Sequence, residues 1–182
     1  MHRRIARLIF YPTLAWNLLW TRVFGVWKWW SRVDDHVVLG ALPFPSLVQE
    51  LHQQGVRAIV NTCEEYAGPV REYEQFGMSQ LRVPTVDFTP PTLESVDQAV
   101  NFMAERIEQG ETVYVHCKAG RGRSATIVLC WLIQTKGLSP HEAQIYIQTK
   151  RPQIVKRLYQ RQVVQEFAQR HGQPVPDKEG RS

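Results

Sequence analysis

Residues 113–126, VYVHCKAGRGRSAT, set one cysteine among two glycines, three cations and a serine, at the seam between an apolar strand and an apolar helix. A strand that turns through a glycine-bearing loop into a helix makes an anion site. The backbone N–H groups at the helix start have no intrahelical partner, and the helix dipole adds partial positive charge. Between Cys117 and Arg123 lie five residues, Lys118, Ala119, Gly120, Arg121 and Gly122, enough to wrap one phosphate-sized anion. The two glycines allow the backbone to turn its N–H groups inward, and Arg123 supplies a planar fork for two phosphate oxygens. Cys117 then lies at the bottom of a cradle whose positive charge lowers a thiol pKa. A thiolate facing a bound phosphate is a phosphoryl-transfer nucleophile.

The rest of the chain supplies a scaffold for that loop. HVVLGALPF, VRAIVNTC, MSQLRVP and TVYVHC read as strands. SLVQELHQQG, with Ser46 as expected N-cap, LESVDQAVNFMAERIEQG and RSATIVLCWLIQTKG read as helices, as does SPHEAQIYIQTKR with a capping box of Ser139 and Glu142 around Pro140. A last helix is expected over roughly Leu158 to His171. Strands alternating with helices predict an α/β fold with a central, mostly parallel sheet flanked by helices on both faces. The 182 residues suffice for one such domain, expected over 34–171, with a loose tail at 172–182. Three cysteines without CxxC or Cys/His spacing indicate free thiols rather than a disulfide framework or a zinc site. Cys130 reads as core. Cys63 is open between a core residue and a resolving thiol that pairs with Cys117 on oxidation.

The chemistry assigns further roles. Arg123 and the N–H groups from Lys118 to Arg123 stabilise the equatorial oxygens. Ser124 hydrogen-bonds the sulfur and eases its departure in the second step. His116 takes an orienting role through hydrogen bonds. The leaving oxygen needs a proton, and Asp87, in the proline-bracketed loop TVDFTPPT, is the candidate general acid. Lys118 and Arg121 are expected to add cations at the rim of the cradle. No metal or other cofactor is required.

At these residues the chain resembles the cysteine-dependent protein tyrosine phosphatases. HCKAGRGRS fills their pattern of His-Cys, five residues, Arg and Ser/Thr, and the position of Asp87 is that of the dual-specificity subgroup. FYPTL, LGALP, EEY, LRVPTVDFTPPTL and RPQIVKRLYQ are similar to the branch of mitochondrial-type phosphatases that act on phosphatidylglycerophosphate. The resemblance implies a dual-specificity-phosphatase-like fold, with Cys117 as nucleophile, Arg123 as phosphate binder and Asp87 as acid. It also implies that the acidic EEY loop, with Glu64 and Glu65, shapes the site. After Tyr66 the chain departs from that family, with a shorter loop. The implied location is the mitochondrial inner membrane in a eukaryote, or the cytoplasmic face of the inner membrane in a bacterium.

The opening segment bears on substrate. Residues 1–33 carry six cations and no acid, and five of the six tryptophans, while 34–182 balance 16 basic against 17 acidic residues. The basic charge thus belongs to an extension, not to a nucleic-acid-binding body. The apolar stretch from Leu8 to Trp20 is 13 residues long, short of the roughly 20 that a spanning helix needs. Tryptophans interleaved with Arg and Lys suit a membrane interface, and packing on the domain is the other reading. A lipid-phosphate monoesterase at a membrane, most simply one that converts phosphatidylglycerophosphate to phosphatidylglycerol, accounts for both ends of the chain. A dual-specificity phosphatase acting on phosphotyrosine, phosphoserine or phosphothreonine proteins, or a phosphoinositide phosphatase, is the alternative. A phosphate reader without turnover fits less well, since Cys117, Arg123, Ser124 and Asp87 are all present. The expected partners are the phosphorylated substrate and a membrane surface, and the protein is expected to be a monomer.

Overall fold

Five strands form one sheet in the order β1-β2-β5-β3-β4, in a computed structural model that describes residues 12–16 and 28–173. The strands are β1 (Trp30–Arg32), β2 (Val37–Gly40), β3 (Val56–Cys63), β4 (Ser79–Thr85) and β5 (Thr112–His116). All neighbours are parallel except β1 and β2. The α/β architecture with a mostly parallel sheet is as the alternation of elements predicts. The sheet also takes in Trp30–Arg32, which the sequence reading left in the opening segment.

Side chains alternate between the two faces of the sheet, as the period of a strand requires. Val37, Leu39, Ala58, Val60, Val113 and Val115 face one core, built with helices α3 (Leu93–Glu108), α4 (Arg123–Lys136), α5 (Pro140–Lys150) and α6 (Gln162–Arg170). Val38, Ile59 and Tyr114 face a smaller core beneath α1 (Pro45–Gln53) and α2 (Val70–Gln75). The run from Arg123 to Ile133 in α4 is buried throughout, which explains its apolar composition: it lies in the middle of the larger layer.

The local signals held in part. Ser139 and Glu142 form the capping box, with Pro140 in the first turn. Helix α1 instead starts at Pro45 with Phe44 as N-cap and no side-chain cap, because proline at the first helical position is already preorganised. The polar run after Tyr66 contains the short helix α2. The last expected helix is a 3₁₀ turn, Leu158–Gln160, followed by α6.

Strand β5 lies between β2 and β3, so its C-terminal end opens at the interior of the sheet edge where ligands of open α/β sheets bind. The loop after it packs tightly on β2. Gly120 has φ +64°, and a Cβ there would collide with the Gly40 carbonyl. A Cβ on Gly40 would in turn overlap the Tyr114 hydroxyl, which donates to the Ala41 carbonyl at 2.6 Å. The glycine of LGALP is thus the seat on which the cysteine loop rests.

Candidate active site

Cys117 follows β5 directly and is buried. Its sulfur accepts hydrogen bonds from the Gly120 N–H and the Ser124 hydroxyl, each at 3.2 Å. Helix α4 begins at Arg123 behind Gly122, with no side chain capping its first N–H groups, so these are available to an anion. Burial pushes the Cys117 thiol up. The Arg123 charge, the Ser124 hydroxyl and the backbone N–H groups of Ser124 and Arg121 outweigh it and bring the pKa down to about 7. The thiol thus titrates near neutrality, where a nucleophile is useful.

Arg123 reaches across to three partners. Its Nη1 donates to the Glu65 carboxylate at 3.0 Å and to the Thr85 carbonyl at 2.8 Å, while Nη2 lies 3.0 Å from an Asp87 carboxylate oxygen. That last contact is an ion pair off the hydrogen-bond line, so Nη2 has no well-formed hydrogen bond among the described residues. A buried donor in that condition can serve a phosphate oxygen. Burial works against the charge of Arg123, but Cys117, Cys63, Asp87 and Glu65 prevail and hold the guanidinium protonated.

Asp87 is buried, not a solvated turn former. Its second carboxylate oxygen pairs with the Lys118 ammonium, and its N–H donates to Glu65 at 3.3 Å. Glu65 therefore braces both Arg123 and the Asp87 loop, while Glu64 beside it is half-buried. Lys118 was expected at the rim. It is instead buried, drawn inward by Asp87, and it donates to the Thr13 hydroxyl at 2.6 Å. Arg121 is half-buried, with its Nε donating to the Gln153 carbonyl at 2.6 Å. Phe88 lies over the Lys118 ammonium, 5.1 Å from ring centroid to nitrogen. Its backbone is left-handed, with φ +66°, which costs a bulky residue on the order of 1–3 kcal/mol. The turn is held by Thr89, whose N–H and hydroxyl both donate to the Val86 carbonyl.

His116 does not act through ring hydrogen bonds, as the sequence reading expected. Its ring approaches the Cys117 backbone, but neither nitrogen makes a well-formed hydrogen bond among the described residues. Burial, over a weaker opposing pull from that backbone, lowers its pKa to about 3, so the ring stays neutral. Its carbonyl accepts from the Thr62 hydroxyl at 2.9 Å, and the ring stacks on Tyr114. Its place is structural, in the packing under the loop. Cys63 and Cys130 are both buried free thiols, and burial pushes each one up.

Arg151 is a residue that sequence reasoning missed. It is buried behind the loop, with Nε donating to the Gly120 carbonyl at 2.8 Å and Nη2 to the Ala119 carbonyl at 3.0 Å. Its other hydrogens go to the Lys28 and Trp29 carbonyls and the Ser31 hydroxyl. These bonds hold the loop carbonyls away from the anion site, so that the N–H groups face it. Arg161 binds the Gly122 carbonyl at 3.3 Å and the Thr126 hydroxyl at 2.6 Å. The cradle floors a cavity of about 450 Å³ whose walls include Thr13, Trp16, Phe88, Val155 and Arg161. No group of three or more His, Cys, Asp or Glu side chains among the described residues could hold a metal ion.

The family profile described as the dual specificity phosphatase catalytic domain matches residues 38–170. The chain belongs to the dual-specificity phosphatases. It is a cysteine-based phosphatase, in keeping with the sulfur, guanidinium and N–H groups gathered at one anion site. The Homo sapiens protein "phosphatidylglycerophosphatase and protein-tyrosine phosphatase 1" is 42% identical over 172 residues, 90% of this chain and 86% of that relative. "Phosphatidylglycerophosphate phosphatase PTPMT1" of Arabidopsis thaliana is 39% identical over 165 residues, 89% of this chain. This dual-specificity phosphatase spans 49% of the length of that plant relative. A crystal structure of PTPMT1 in complex with PI(5)P superposes with a TM-score of 0.75 at 38% identity, over 80% of this chain and 97% of that one.

Proposed function

We propose that this phosphatase hydrolyses phosphate monoesters of phospholipids, with phosphatidylglycerophosphate as substrate, through a phosphocysteine. The Cys117 thiolate attacks phosphorus, an S–P bond forms and the bond from phosphorus to the alcohol oxygen breaks. Asp87 gives its proton to the departing alkoxide. Arg123 and the loop N–H groups hold the three equatorial oxygens throughout. Water then attacks the phosphocysteine, Asp87 takes the water proton, and Ser124 stabilises the sulfur as it leaves.

The observation that carries the lipid reading is the Thr13–Lys118 contact: it brings residues 12–16, a short piece of the basic, tryptophan-rich opening segment, to the wall of the cradle. Relatives named for phosphatidylglycerophosphate, and a similar structure holding a phosphoinositide, support it. A membrane surface supplies the substrate, reached through tryptophans and cations of residues 1–33. Most of that segment, 1–11 and 17–27, lies outside the described residues, and no described helix is long and apolar enough to cross a membrane. The protein works as a monomer on an anionic membrane, the mitochondrial inner membrane in a eukaryote or the cytoplasmic face of the inner membrane in a bacterium. A second reading, phosphotyrosine hydrolysis, is favoured by the human relative's double name.

Phosphate release from phosphatidylglycerophosphate, phosphoinositides and phosphotyrosine, phosphoserine and phosphothreonine peptides, side by side, tests both readings. We expect kcat/KM to be highest on phosphatidylglycerophosphate. A phosphopeptide that matches or exceeds the lipids overturns the lipid reading.

A further inference from the structure

Five large apolar side chains stand exposed among the described residues, and three of them line the one cavity above Cys117: Trp16 at 56%, Phe88 at 59% and Val155 at 39%. They come from three separate parts of the chain: the helical residues 12–16, the Asp87 loop and the segment after α5. A scattered exposed hydrophobe needs no explanation, but three converging on one opening do. Phe88 adds an independent sign. Its ring is held outward by a left-handed backbone that a bulky side chain avoids, and it forgoes burial as well. A residue that bears both costs beside a reaction site points to a task there.

The opening therefore has a charged floor and an apolar mouth. Cys117, Arg123 and the loop N–H groups take a phosphate, and Trp16, Phe88 and Val155 meet whatever is joined to it on the solvent side. We propose that these three side chains form an apolar collar that grips the acyl-bearing glycerol of a single lipid phosphate and sets selectivity for lipid over water-soluble phosphomonoesters. This rests on the lipid reading above. The Thr13–Lys118 hydrogen bond fixes the position of the 12–16 helix against the cradle, so Trp16 belongs to the substrate opening. The collar acts on one bound molecule, and a bilayer is not needed for its effect.

The test uses the full chain and monomeric substrates. Dihexanoyl phosphatidylglycerophosphate below its critical micelle concentration is compared with its deacylated counterpart, and the ratio of the two kcat/KM values is read. The wild type should prefer the acylated form. Trp16→Ala and Phe88→Ala should each lower that ratio about tenfold, with much of it restored in Trp16→Phe and Phe88→Leu. Ile145→Ala, which removes an exposed hydrophobe from the surface of α5, should leave it as it is. A wild type without preference sinks the lipid reading and the collar with it. A wild-type preference that persists in Trp16→Ala and Phe88→Ala overturns the collar alone. So does a tenfold loss confined to a tyrosine phosphopeptide, which would make the mouth a peptide site.

Discussion

The floor and the mouth of the cavity are held by different means. On the floor, Cys117, Lys118, Arg123 and Asp87 are buried and tied to one another, to loop N–H groups, to hydroxyls, to a carbonyl and to a carboxylate. At the mouth, Trp16, Phe88 and Val155 are exposed and come from three segments far apart in sequence. Apart from Asp87, the floor is one short, contiguous piece of chain; the mouth is an assembly. Reaction chemistry needs sub-ångström placement, which a local loop on a rigid sheet provides. Selectivity needs only surface of the right polarity, so it can be drawn from anywhere.

The most severe way to break the floor is to remove the nucleophile. Cys117→Ser should lower turnover by at least about a thousandfold while phosphate-ester binding persists, because the cradle of N–H groups and Arg123 is intact. Trapping of substrate by equilibrium binding, beside a phosphate-release assay, checks both halves. Retention of a tenth of the wild-type rate would defeat the covalent mechanism.

Asp87 lies where floor passes into mouth, and its substitution sharpens the boundary. Asp87→Asn should slow alkyl phosphate hydrolysis by about a hundredfold or more, and an aryl phosphate with an acidic leaving group far less, since only a basic oxygen requires a proton. Equal losses on both substrates would make Asp87 a purely structural partner of Arg123 and Lys118. Glu65 would then be the next acid to examine.

The mildest test titrates the floor alone. With its pKa at about 7, Cys117 should react with iodoacetamide at a rate that plateaus above neutrality. Below it the rate falls about tenfold per pH unit, as thiolate reverts to thiol. Ser124→Ala removes one donor to the sulfur and should move the midpoint up by about one pH unit. A midpoint near that of an ordinary thiol in the wild type would mean the cradle does not activate its cysteine.

This contrast also explains what could be read from the chain. Cys117, Arg123, Ser124 and the parallel sheet are legible because their signals are local: strand, glycine-bearing loop and helix adjoin in sequence. Asp87 could be found as an acid in a proline-bracketed loop. Glu65 came forward only through resemblance, since nothing near EEY indicates that its carboxylate spans to Arg123. Lys118 was misplaced at the rim because its position depends on Asp87, 31 residues away. Arg151 looked like an ordinary cation ending a helix; its acceptors at Lys28 and Trp29 are 123 and 122 residues distant. Trp16 belonged to a segment that could be read either as membrane-facing or as packed, and its wall position needed Thr13 and Lys118 to meet.

Arg151 also decides where this catalytic unit begins. The match to the family profile starts at residue 38 and the sheet at Trp30, yet the guanidinium takes acceptors from Lys28, Trp29 and Ser31. A truncation that starts at Asp34 strips away those acceptors along with β1, and leaves a buried cation short of partners, a loss of about 1–3 kcal/mol or more. One that starts at Lys28 keeps these acceptors of Arg151 but gives up the Thr13–Lys118 hydrogen bond and Trp16 of the cavity wall. To keep the acceptors of Arg151, an excised or transplanted domain must therefore begin at or before Lys28, ahead of the first strand and of the first residue that the family profile matches.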